Sequence, residues 1–173
     1  CCEPSYPVAI LGAGPIGLAA AAHLKAYNIP FIILEKGEAA ANVATWAHVQ
    51  LFSPWEYNVD SAAQKLLENT DWQMPNKDDI PTGQALREQY LLPLSKLFQE
   101  QLRTGEEVIA ITKLNTDKMK STNRANKPFL IFTKNGQSAK TYKARAIIDA
   151  TGTWGHPNPA ASHGVLLPGE QAA

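Results

Sequence analysis

Cysteine is almost missing from the 173-residue sequence: Cys1 and Cys2, adjacent at its start, are the only two. Neighbouring cysteines close no stabilising loop, so no disulfide framework is expected, and a reducing cytoplasm is the expected compartment. No C-x-x-C pair is present to pass electrons to a disulfide substrate. No apolar stretch reaches the roughly 18 residues of a membrane-spanning helix. The short run Val8–Leu11 has neither the basic segment before it nor the cleavage site after it that a signal peptide needs. Net charge is absent as well. Lys plus Arg and Asp plus Glu number 16 each, which leaves no global field to draw nucleic acid or an anionic membrane. A G-x-S-x-G hydrolase elbow is missing, and His23, His48, His156 and His163 lack the spacing and cysteine neighbours of a zinc site, so no metal is expected. The sequence does not open with Met, which points to processing or to a piece of a longer protein.

What is present reads as a folded α/β chain. Hydrophobic residues make up 45% and charged ones 18%, a globular balance rather than a disordered one. The expectation is one domain over 1–173: a strand–helix–strand unit at 6–36, a helical and loop segment at 37–104, a β-meander with a return strand at 105–149, and an exit segment at 150–173. Val8–Leu11 and Phe31–Leu34 are continuous apolar runs, as in strands buried on both faces of a parallel sheet. The alanine-rich stretch Leu18–Ala26 between them has good helix propensity and is stopped by Asn28 and Pro30. From Thr82, an N-cap candidate, apolar residues recur at helical spacing as far as Leu102, with Pro93 expected to kink or split the helix. Val108–Ile111 and Phe129–Thr133 read as strands, Asn135-Gly136 as a hairpin turn, and Ala146–Asp149 as the returning strand. The basic segment 116–127 reads as a solvated loop or, alternatively, as a phosphate contact.

Gly12-Ala13-Gly14-Pro15-Ile16-Gly17 fits G-x-G-x-x-G between a strand and a helix. Gly12 allows the tight turn, Gly14 lets backbone approach a pyrophosphate, and Gly17 lets helix pack on strand. The helix N-terminus then offers free N–H groups to the phosphates. Glu35, followed by Lys36, ends the second strand, where a carboxylate can accept hydrogen bonds from an adenosine ribose and repel a 2′-phosphate. The bland alternative is a strand–helix turn with a surface glutamate. On these residues alone FAD and NAD both stay open. Asp149-Ala150-Thr151-Gly152 closes an apolar strand with small residues that would let backbone lie against a bound cofactor.

The pair of motifs at 12–17 and 149–154, with the meander between them, resembles flavoproteins built on two dinucleotide-binding domains. The segments 48–60 (HVQLFSPWEYNVD), 81–95, 116–121 and 149–159 narrow the resemblance to the group related to flavin-containing monooxygenases. The resemblance runs from Val8 to about Glu170. It implies a Rossmann-like FAD-binding domain, a parallel sheet with helices on both faces, plus an antiparallel β-meander. Gly12, Gly14 and Gly17 would hold the FAD pyrophosphate, Ala13, Pro15 and Ile16 lending backbone. Glu35 would bind the ribose, Trp46 and His48 would wall the flavin, and Thr151 and Gly152 would line it. Trp46 has core packing as its competing role, and His48 and His156 are acid–base candidates without a visible partner.

Proteins of this group continue into a second domain that binds NAD(P)H, and no second G-x-G-x-x-G occurs here. The expectation is therefore the N-terminal part of an NAD(P)H-using flavin oxidoreductase, with NAD(P)H as co-substrate only where the second domain is supplied, as by a separate chain. The alternatives are a non-catalytic nucleotide-binding module and an NAD-binding dehydrogenase domain.

Overall fold

A computed structural model describes residues 6–153, 155, 158–160, 164–166 and 170. Cys1, Cys2, Trp154, His156 and His163 lie outside the described residues, so the readings placed on them are not taken further.

Strand β1 (Val8–Leu11) is buried along its whole length. It sits between β2 (Phe31–Leu34) and β7 (Ala146–Asp149) in a parallel sheet of order β3-β2-β1-β7, with β3 (Leu102–Arg103) at the edge. This inner position explains its unbroken apolar run. Val8 stands opposite Phe31 on one side and Ala146 on the other. Helix α1 (Pro15–Ala26) makes the crossover from β1 to β2. It ends where Asn28 turns to φ +53 and the Ile29 N–H donates back to the Leu24 carbonyl. Asn tolerates this left-handed conformation better than most residues.

The two faces of the sheet bury different partners. Ile10 and Ile33 face α1 (Leu18, Ala21, Ala22) and a helical layer that brings Leu67, Leu91, Leu94 and Phe98. Each such fully buried side chain contributes about 1.5–3 kcal/mol. Ala9, Leu11 and Leu34 face the other way, onto Ile131 and Ala144 of a three-stranded antiparallel sheet. That sheet is β4 (Glu107–Lys113), β5 (Phe129–Asn135) and β6 (Ser138–Ala144), in the order β4-β5-β6. The α/β class and the meander agree with expectation. The second face, where helices were expected, is covered by the meander, because β5 and β6 present their own apolar side.

Within the helical and loop segment, 37–80 folds as three short helices: α2 (Ala41–Thr45), α3 (Trp55–Asn58) and α4 (Ser61–Leu67). Thr82 caps α5 (Gly83–Leu86) as expected, its hydroxyl accepting from the Ala85 N–H. The helix then widens into a π turn (Arg87–Leu91) before α6 (Leu92–Lys96). Pro93 is the cause expected, but the helix is widened rather than split. Lacking an N–H, Pro93 leaves the Gln89 carbonyl four residues earlier without its helical donor, and the Trp72 indole N–H donates to that oxygen instead. Leu102, expected in the helix, instead pairs with Ile33 in β3. In the hairpin the turn lies one residue later than expected: Asn135 pairs with Ser138, and Gly136 takes φ +57.

Candidate nucleotide site

The three motif glycines stand in three different settings. Gly12 has φ +98, and a Cβ there would lie 2.7 Å from the Ala150 carbonyl oxygen of the returning strand. Gly17 would drive its Cβ to 2.0 Å from the Gly12 oxygen. Turn and packing thus fix both. Gly14 has φ −81 and ψ −171, extended backbone open to any residue, and a Cβ there would meet nothing within 4 Å. Nothing in the protein calls for glycine at 14. The space beside it is free, as a close-approaching ligand would need.

Around this point lies a cleft of about 530 Å³. Gly12, Gly14, Pro15, Ile16, Glu35, Lys36, Trp46, Thr151 and Gly152 all line it. Residues 120 apart and more in sequence therefore share one wall, because β7 lies directly beside β1. The first turn of α1 opens onto the cleft. Since the Leu18 N–H is the first to reach back, to Gly14 O, the N–H groups of Ile16 and Gly17 have no acceptor within the helix. The Ile16 N–H stands at the cleft beside the positive end of the helix dipole, a setting that favours an anion.

Glu35, expected at a ribose, is engaged within the protein itself. Its Oε2 accepts the Ala13 N–H at 2.7 Å and its Oε1 the Gly37 N–H at 2.8 Å. The carboxylate ties the glycine turn to the turn after β2 and holds its remaining lone pairs at the cleft. The Ala13 carbonyl accepts from Ala40 N–H, so both backbone polar groups of Ala13 are occupied and its side chain is buried. Ala13 therefore lends no N–H to a phosphate, and Pro15 has none. Gly17 lies behind the wall rather than in it.

At the opposite rim, Asp149 Oδ1 accepts the Thr151 hydroxyl at 2.7 Å and the Thr151 N–H at 3.1 Å. These bonds hold the Asp149 carboxyl below the usual carboxylate range. They also shape the turn that ends at Gly152, with φ +69. Trp46 is half-buried; a Cβ on Gly83 would come within 2.6 Å of its ring and 2.8 Å of its carbonyl oxygen. Gly83 is thus the residue that lets Trp46 reach the cleft. His48 is exposed and outside the cleft lining. The Val49 N–H donates to Trp46 O, and this tight turn carries His48 to the surface, away from the wall expected for it.

Residues the sequence did not single out complete the lining: Ala40, Asn42, Glu106, Glu107 and Val108 among them. Ala40 has φ +55, a conformation an alanine gives no sequence signal of. Glu106 is 2% exposed. Burial pushes its carboxyl up, but hydrogen bonds from Lys140 and Thr133 outweigh this and hold it below the usual range. The basic segment 116–127 lies outside the cleft lining and is largely exposed. Among the described residues no group of three or more His, Cys, Asp or Glu could hold a metal ion, and no helix is long and apolar enough to cross a membrane.

Residues 9–168 match the family described as pyridine nucleotide-disulphide oxidoreductase. The chain belongs to that family. Among solved structures, this family member resembles a bacillithiol disulfide reductase from Bacillus cereus at 23% identity and TM-score 0.63, over 91% of this chain and 42% of that one. It also resembles a flavin-containing monooxygenase from Stenotrophomonas maltophilia at 22% identity and TM-score 0.60, over 88% and 40%. A third is the FAD-bound form of OTEMO, at 16% identity and TM-score 0.60, over 87% and 26%. At these identities the likeness shows the fold. The chain spans about two-fifths of the length of the reductase and the flavin-containing monooxygenase it resembles. No curated protein matches it. The family's name speaks of disulfides, yet the two cysteines are the adjacent pair at positions 1 and 2.

Proposed function

We propose that the cleft holds FAD and that this pyridine nucleotide-disulphide oxidoreductase family member is the FAD-binding part of an NAD(P)H-using, monooxygenase-like oxidoreductase. The empty space beside Gly14, where the backbone would accept any residue, is the observation that carries the reading. The FAD-bound OTEMO structure, which shares the fold, supports flavin over a nicotinamide nucleotide as the resident group.

In this reading the Ile16 N–H and the α1 dipole face the pyrophosphate, and Glu35 accepts from the adenosine ribose. Lys36 stands on the same rim. Trp46, Thr151 and Gly152 line the remaining wall, where they exclude water and limit how the cofactor lies. Bound flavin would supply the redox chemistry; the protein contributes binding, orientation and shielding. Hydride supply from NAD(P)H, the oxygen or disulfide acceptor and the substrate pocket belong to segments beyond these elements.

The test is a titration of the purified chain with FAD, with NADH as the comparison, read by flavin fluorescence and by Tm. FAD binding with NADH ignored supports the reading. NADH binding with FAD ignored assigns the cleft to a nicotinamide nucleotide. A folded chain that binds neither overturns the proposal for this chain.

A further inference from the structure

A second concavity, of about 220 Å³, lies apart from the nucleotide cleft. Glu38, Arg87, Ser95, Lys96, Gln99 and Thr104 are among the residues that line it. We infer that it is a binding site for a small oxyanion, a phosphate or carboxylate group, gripped by the Arg87 guanidinium.

The Nε of Arg87 is buried and has no hydrogen-bond partner. A guanidinium stays charged at any physiological pH, so a buried donor on it calls for an acceptor. Neither Arg87 nor Lys96 forms an ion pair among the described residues. Two cations therefore face the concavity against the single carboxylate of Glu38. The planar fork of arginine matches the paired oxygens of a carboxylate or phosphate. Gln99 and Thr104 add neutral donors at the rim, while the Ser95 hydroxyl donates to Leu92 O and serves as wall. The volume is less than half that of the nucleotide cleft, which suits a small anion.

The π turn is what sets the sign of this wall. The Leu92 N–H donates to Arg87 O, five residues back, so Arg87 stands over Leu92 on the face that continues through Ser95, Lys96 and Gln99. A regular α-helix would set Glu88 and Gln89 over Leu92 and turn a carboxylate toward the same space. Glu88 is instead exposed and accepts from Gln84 Nε2 at 3.2 Å. Single π turns inside helices recur at functional sites, and here the turn places a cation where the regular helix would place an anion.

The experiment uses the full chain, with the Arg87→Lys and Lys96→Gln variants separating this site from any anion taken at the glycine turn. It is titrated with inorganic phosphate and, separately, with acetate, at constant ionic strength against chloride. The Arg87 Nε–H resonance and Tm are followed. A saturable shift with phosphate or acetate, absent with chloride, is expected. Arg87→Lys, which keeps the charge and loses the fork, is expected to weaken the apparent affinity about tenfold, and Lys96→Gln about threefold. A response to phosphate alone or acetate alone assigns the anion class and supports the site. No saturable shift with either anion, or an unchanged affinity in Arg87→Lys, overturns it and leaves Arg87 hydrated by water alone.

Discussion

Gly14 and Glu35 line the same cleft but answer to different demands. A valine at 14 would place its side chain in open cleft and touch no protein atom within reach of its Cβ. Gly14→Val is therefore expected to abolish FAD binding while shifting stability by no more than about 0.5 kcal/mol. A titration paired with a melt checks both, and a folded variant that keeps its affinity removes the pyrophosphate from this turn. Glu35→Ala behaves differently, because it strips acceptors from the Ala13 and Gly37 N–H groups. It should weaken FAD binding by about 1.5–3 kcal/mol and also lower Tm without ligand. An unchanged melt would show that the two turns hold without the carboxylate.

At the scale of elements, glycine at the start of a helix is normally improved by alanine. Gly83 reverses that, since its added methyl would run into the Trp46 ring and carbonyl. Gly83→Ala is expected to cost about 1–3 kcal/mol by overpacking and to move Trp46 at the cleft wall, visible in tryptophan fluorescence. Trp72→Phe should cost about 0.5–1.5 kcal/mol by removing the indole donor to the Gln89 carbonyl beside Pro93; urea unfolding measures it. Legibility followed where each element gets its stability. β1, β2 and α1 were readable because buried parallel strands and an alanine-rich helix carry their signal in composition alone. α2 and α3, of five and four residues, are too short to stand on propensity and exist because Val43 and Trp55 are buried in the core. Leu102 continued a helical spacing although it lies in β3, since helix and edge strand bury it against the same cluster. Within the site the glycines, Glu35, Trp46 and Thr151 were visible as motif residues. Ala40, Glu106 and Val108 were not, because only the tertiary fold brings them to the rim.

For the molecule as a whole, one polar junction ties the first crossover helix to the helical layer. His23 Nε2 of α1 stands 3.0 Å from Asp60 Oδ2, Asp60 Oδ1 caps α4 through the Ala62 and Ala63 N–H groups, and the Tyr90 hydroxyl accepts the Asp60 N–H. Burial pushes the Tyr90 phenol up to about 12, so it stays neutral through the working range. Burial also pushes the Asp60 carboxyl up, but the Ala63 N–H and His23 outweigh it and hold the group below its usual value of 3.8. A carboxylate whose pKa is lower folded than unfolded adds stability above its unfolded pKa and loses it as pH falls through the folded value. Tm should accordingly drop as the pH falls below about 4, and Asp60→Asn should flatten that part of the profile while lowering Tm near neutrality. A profile identical in the variant would remove Asp60 from the junction.

The position of β7 has one more consequence, in time rather than space. Val8 and Phe31 can pair as soon as β2 has been made, but Val8 meets Ala146 only once β7 has followed. Contacts this distant in sequence are slow to close. The floor of the glycine turn, where Gly12 lies against the Ala150 carbonyl, thus forms well after the turn that rests on it. During synthesis on the ribosome the nascent chain would carry its glycine motif without a place to seat a nucleotide until β7 had emerged, so cofactor capture waits on that strand instead of guiding the steps before it.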